Sequence, residues 1–91
     1  MRFDWDLAKA AENVRKHGVP FEEASTVFGD PLAITVPDPD HSEEEEHWLT
    51  TGWSGRHRLI IVWHVDRGDT VRIIGAREVT PNERRTYESG E

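Results

Sequence analysis

The chain has 91 residues and no cysteine, which suits one compact domain spanning residues 1–91 and excludes disulfides, thiolate metal sites and thiol nucleophiles. Apolar residues make up 35 % of it and charged residues 32 %, with a net charge of −7, so a small core is expected beneath a heavily charged surface. No apolar run approaches the roughly 18 residues of a membrane span and the N-terminus has no secretory signal pattern, so a cytoplasmic protein without a membrane partner is expected.

Residues 1–5 alternate, with Phe3 and Trp5 on one face, and suit a short first strand. Asp6 can cap a helix starting at Leu7, whose predicted buried stripe is Leu7, Ala10, Ala11 and Val14, with Lys9, Asn13 and Lys16 on a separate polar stripe. Gly18 stops that helix and Pro20 follows. A second helix over 21–28 places Phe21, Ala24, Val27 and Phe28 together, and Gly29-Asp30-Pro31 closes it. Residues 32–36 read as a strand ended by Pro37-Asp38-Pro39-Asp40, a run no central strand could contain.

After an acidic loop, three further strands are predicted, over 47–53, 58–65 and 70–76. Ser54-Gly55 and Arg67-Gly68-Asp69 supply hairpin turns, and the unbroken run Leu59-Ile60-Ile61-Val62-Trp63 belongs mid-sheet under the helices. Thr80-Pro81-Asn82-Glu83 is a capping box with proline at the first helical position, opening a last helix that carries Arg84, Arg85 and Tyr87. The order β-α-α-β-β-β-β-α defines an α+β fold, with a mainly antiparallel sheet packed on one face by the two N-terminal helices.

The acidity is local. Residues 38–55 hold six acids and no Lys or Arg, whereas residues 56–91 hold seven Arg against six acids. Every Lys or Arg after Lys16 is arginine, whose planar fork matches phosphate. A cationic site can therefore sit on this acidic protein, though long-range attraction of RNA would be weak. A protein that binds DNA on its own is disfavoured by the bulk charge and the lack of a recognition helix.

The residues that could carry chemistry are dispersed along the chain. Lys9, Lys16 and His17 lie on the first helix, Arg72 and Arg77 on the last strand, and Arg84 and Tyr87 share one face of the closing helix. Cleaving RNA without a metal needs a base for the 2′-hydroxyl proton, an acid for the 5′-oxygen, and fixed positive charge at the phosphorus. Histidine suits the first two tasks and arginine the third. Each residue also has a structural reading: solvent-face lysines, a His17 that satisfies helix-end carbonyls, a His64 in the core, arginines paired with Glu83 and Glu88, and Trp48, Trp53 and Trp63 as packing residues. His41 and His47 flank the acidic run, but their spacing matches no metal-ligand pattern, and neither a metal nor a cofactor is expected.

Read in order, the segments FDWDLAKAAENVRKHGVPFEEASTVFGDPLA, PDPDHSEEEEHWLTTG, GRHRLIIVWHVDRGDTVRIIGARE and VTPNERRTYE resemble the BrnT family of toxin–antitoxin ribonucleases over about residues 2–88. The resemblance implies a RelE-like α+β fold and a metal-independent endoribonuclease that blocks translation by cutting RNA. It also implies a BrnA-type ribbon–helix–helix antitoxin, through which alone operator DNA would be reached, with room for a toxin dimer in the complex. Lys9, Asn13, Lys16, His17, Arg58, His64, Arg77, Glu83, Arg84 and Tyr87 stand at positions matching the family pattern. On that basis Arg77 and Arg84 are expected to hold the scissile phosphate, Lys16 or His17 to serve as acid or base, and Tyr87 to orient the ribose or a base. Lys9, Asn13, Arg58, His64 and Arg72 are expected to bind RNA. The chain departs from the pattern at His47, Trp53 and Gly75, which leaves a catalytically silent binding module, serving as antitoxin partner and co-repressor, as the alternative.

Overall fold

The computed structural model describes residues 1–40 and 45–90, so His41, Glu43 and Glu44 of the acidic run lie outside the described residues. The elements are β1 (Arg2–Asp4), α1 (Leu7–His17), α2 (Phe21–Thr26), a 3-10 turn (Val27–Gly29), β2 (Ile34–Pro37), β3 (His47–Trp53), β4 (Leu59–Arg67), β5 (Thr70–Glu78) and α3 (Pro81–Ser89). They follow the predicted order. The second helix ends earlier than the pattern suggested, because Val27–Gly29 tightens into the 3-10 turn before Asp30.

One sheet runs β1-β5-β4-β3-β2. β1 pairs parallel with β5 and the other pairs are antiparallel. The most apolar strand, β4, is central, and Pro37 sits on edge strand β2, where its missing N–H breaks no ladder. Register separates the two faces. Ile60, Val62, Ile73 and Ala76 join Val19, Phe21, Ala24 and Val27 in the core beneath α1 and α2. The opposite face carries rows such as Ile34–Thr51–Ile61–Arg77 and Val36–Leu49–Trp63–Gly75. A bulge between Trp63 and His64 shifts the β4–β5 register, so His64 lies opposite Ile73 and Val65 opposite Arg72.

The predicted apolar stripe of α1 is overturned. Leu7 is 80 % exposed and Val14 46 %, while the one buried residue of the helix is Asn13. Asn13 Nδ2 donates to Val19 O and Ala76 O, each at 2.8 Å, and Oδ1 accepts from Ala76 N at 3.1 Å. The carboxamide thus acts as a short stretch of sheet partner, satisfying backbone groups of β5 and of the α1–α2 link. At about 100° per residue, seating Asn13 turns the helix by roughly a quarter turn from the expected orientation, and Leu7 and Val14 swing to solvent.

Candidate functional site

The end of β5 and the start of α3 build the site through a cap and a sheet register acting on one carboxylate. Thr80 Oγ1 accepts from Glu83 N at 3.2 Å, and Glu83 Oε1 accepts from Thr80 N at 2.8 Å, completing the capping box. The same Glu83 takes a bidentate pair from Arg77, Nη1 to Oε1 at 2.8 Å and Nη2 to Oε2 at 2.9 Å. These contacts, Arg77 first, pull the Glu83 carboxyl down to about 2, and they raise the Arg77 guanidinium in turn. Arg77 Nη1 also donates to Glu78 O at 3.1 Å. Its Nε–H and second Nη2–H make no hydrogen bond among the described residues. The guanidinium lies 5.4 Å from the centroid of the Trp63 ring.

Arg84, the residue after Glu83, lies 5.1 Å from the Trp53 ring centroid, with Nε donating to Glu88 Oε2 at 3.2 Å. Two cation–aromatic pairs therefore stand on the face away from α1 and α2. Three residues on, Tyr87 Oη donates to Leu32 O at 3.2 Å and lies beside the Asp30 carboxylate. Burial first, then Asp30, holds the phenol protonated above its ordinary range. Asp30 is itself fixed by Trp53 N at 2.8 Å and Leu32 N at 2.9 Å, which keep it ionised. Glycine at 52 is required there: a Cβ would lie 2.9 Å from Ala33 Cβ and 3.1 Å from Asp30 Oδ2. Between α3 and the sheet lies a cavity of about 340 Å³ lined by Ile34, Thr51, Ile61, Asn82, Glu83, Thr86 and Tyr87.

The fold brings Arg77, Arg84 and Tyr87 around α3 but leaves Lys16 and His17 on α1, against the other face of the sheet. Lys16 pairs with Glu12 at 3.4 Å, and both Lys16 and His17 are exposed. The two groups still share one end of the molecule, because Arg58 ties it together. Its Nη2 donates to Gly18 O at 3.1 Å, its Nη1 to Glu78 Oε2 at 3.3 Å and its Nε to Glu23 Oε2 at 2.9 Å. Glu23, with its side chain 2 % exposed, also accepts from Ser54 Oγ at 2.7 Å. Arg58 is thus engaged in locking α2, the β3–β4 turn and the end of β5.

Of the other expected RNA contacts, Lys9 is exposed on α1, while the Asn13 amide is buried on backbone as described. His64 is buried too, with Nε2 2.7 Å from Thr50 Oγ1 and Nδ1 2.7 Å from Asp66 Oδ1; Thr50 Oγ1 continues to Thr35 Oγ1 at 2.8 Å. Burial depresses its basicity against the opposing pull of Asp66, so the neutral ring links strands in the core. Arg72 lies on the same face as Arg77 and pairs with Asp4 at 3.2 Å. Among the described residues no three His, Asp or Glu side chains gather where they could hold a metal ion. The stacking of Arg77 and Arg84 on Trp63 and Trp53 was missed in the sequence, because it depends on a register that no local pattern encodes.

The fold defines a small α+β domain, a mainly antiparallel five-stranded sheet covered on one face by two helices, with arginines and tryptophans on the other face. The structure is similar to the 1.1 Å crystal structure of the Brucella abortus ribonuclease toxin BrnT, with a TM-score of 0.69 and 20 % identity over 88 % of this chain and 97 % of that one. The family described as "Ribonuclease toxin, BrnT, of type II toxin-antitoxin system" matches residues 5–83, and the chain belongs to that family. No curated protein sequence matches the chain.

Proposed function

We propose that this chain is a metal-independent endoribonuclease that blocks translation by cutting RNA, and that the arginine face around α3 holds the scissile phosphate. The observation that carries this reading is the convergence of Arg77, Arg84 and Tyr87, from two elements, on one side of the sheet. The 2′-hydroxyl attacks phosphorus and loses its proton to a base, the bond to the 5′-oxygen breaks, and an acid protonates that oxygen. The products are a 2′,3′-cyclic phosphate and a 5′-hydroxyl end. Arg77 and Arg84 offset charge on the phosphorane-like state, and Glu83 and Trp63 fix the Arg77 fork beforehand. Tyr87 orients the nucleotide. Lys16 or His17 supplies the acid or base from the shared end of the sheet, which requires the RNA strand to round that end beside Arg58. The neutralising partner is a BrnA-type ribbon–helix–helix antitoxin whose acidic or amphipathic segment covers the arginine face, and the complex reaches operator DNA through it.

The test is incubation of purified, partner-free protein with naked RNA and chemical mapping of the ends. Cyclic-phosphate ends that form in EDTA, and that fall by about 10²–10³-fold in Arg84→Ala, support the reading. Intact RNA with wild-type protein refutes it. That result would favour the silent binding module, a reading supported by the carboxylate partner that each of Arg58, Arg67, Arg72, Arg77 and Arg84 already holds.

A further inference from the structure

We propose that the cavity beneath α3 is a subsite for one unstacked nucleobase next to the cleaved phosphate, and that it sets the base preference of the cut. The proposal rests on the ribonuclease reading above and deepens it. At about 340 Å³ the cavity lies near the lower end of small-molecule sites, a size for one heterocycle rather than a peptide segment. Its position relative to the cations is set by two links. Ile61 in its wall stands opposite Arg77 in the β4–β5 register, and Glu83 in its rim holds Arg77 and precedes Arg84. Arg84 in turn lies over Trp53, two residues beyond cavity-lining Thr51 on the same face of β3, so a base in the cavity leaves its phosphate on the side of both guanidiniums.

The lining has the chemistry of base recognition. Ile34 and Ile61 give apolar walls, and Tyr87, pinned through its hydroxyl to Leu32, adds an aromatic one. Three groups can address the base edge. Thr51 Oγ1 makes no hydrogen bond among the described residues. The Asn82 carboxamide accepts from Arg85 through Oδ1, which leaves Nδ2 as a donor. Thr86 Oγ1 gives its proton to Asn82 O and keeps its lone pairs. Glu83 only accepts, and it is held by Arg77 and Thr80. Thr51 and Asn82 thus offer donors to the carbonyl or ring-nitrogen acceptors of a base. An unpaired base in single-stranded RNA exposes those edges without the need to open a duplex.

The test has two arms. In the first, cut ends from RNA of random sequence are counted for wild type, Thr51→Val and the cavity-filling Thr51→Phe. Wild type is expected to favour one base at one flanking position by roughly 5–150-fold, and both variants to lose that bias. A wild type without bias, or variants that keep it, overturns the proposal. In the second arm, the four nucleoside 5′-monophosphates are titrated separately into labelled protein and amide shifts are followed. Shifts at Thr51, Ile61 and Thr86 that vanish in Thr51→Phe support the subsite; no shift there, or the same shifts in the filled variant, overturns it. Where wild type cuts no RNA the nuclease reading fails, and the titration alone decides the subsite. Thermal unfolding of both variants separates lost binding from lost folding.

Discussion

Replacing Asn13 by alanine tests whether this residue locks the fold or touches RNA. The side chain is 7 % exposed, and its three hydrogen bonds reach Val19 O, Ala76 O and Ala76 N at 2.8, 2.8 and 3.1 Å. At a net contribution of about 1 kcal/mol each they are worth about 3 kcal/mol. Truncation also leaves one N–H and two carbonyls without partners in a buried region, which places the expected loss at about 3–4 kcal/mol. A domain of this size has about 5–15 kcal/mol to lose, and each kcal/mol shifts the midpoint by roughly 4–8 °C, so a fall of roughly 12–30 °C is expected. Urea titration by circular dichroism measures the loss, with an unchanged slope confirming that the surface exposed on unfolding is the same. Asn13→Asp keeps the acceptor for Ala76 N but loses both donors and puts a carboxylate beside two carbonyls, so it should be worse than alanine. If Asn13→Ala instead kept its stability within about 0.5 kcal/mol and lost RNA binding, the lock would be refuted and the residue would belong to the RNA surface.

The remaining expectations concern pH and packing. Glu83 is depressed from 4.5 to about 2, so its carboxylate stabilises the fold fully above pH 4.5 and loses that effect as pH falls toward 2. With its side chain 37 % exposed, screening reduces this to about 1–2 kcal/mol, and Glu83→Gln should flatten the urea midpoint against pH in that window. His64 is depressed below 6.5 by burial, so its protonation opposes folding and stability should begin to fall as pH drops through 6.5. A midpoint constant from pH 7 to 5 would contradict a buried neutral His64. Gly52→Ala, whose Cβ would press on Ala33 and Asp30, should cost about 1–3 kcal/mol by urea unfolding, whereas an unaltered midpoint would show that the 52–33 approach has slack.

Local rules made the elements readable. Asp6 and Gly18 bracket α1, the Thr80–Glu83 box opens α3, and the run from Leu59 marks the central strand because only a strand covered on both faces can be so apolar. The orientation of α1 was not readable, because an amphipathic pattern assumes that the apolar side faces inward. Here three backbone bonds to one carboxamide outweigh burial of Leu7 and Val14. The candidate site divided along similar lines. Arg84 and Tyr87 share a helical face by spacing, and Arg77 precedes them closely, so that half was legible. Whether Lys16 and His17 would join them depended on which face of the sheet each helix covers, and that is a property of the whole topology.

Holding RNA through a few arginines, as proposed for this acidic chain, makes a distinctive demand on salt. The face around and beside α3 carries Arg67, Arg72, Arg77, Arg84 and Arg85, and of these Arg72, Arg77 and Arg84, nearest the proposed phosphate site, are each already balanced by a carboxylate. Three phosphate contacts give a slope of log affinity against log salt of about −2 for a single strand, or a loss of roughly 15-fold between 50 and 200 mM. Repulsion between the phosphates and a chain of net charge −7 is itself screened by salt, and this flattens the slope further. Binding should therefore depend on stacking and on the base edge more than on charge, and it should survive salt that strips a basic nuclease from RNA. Fluorescence anisotropy of a labelled oligonucleotide at several salt concentrations measures the slope. A value steeper than about −4 would require six or more phosphate contacts, more cations than this face carries, and would move the RNA path onto another surface.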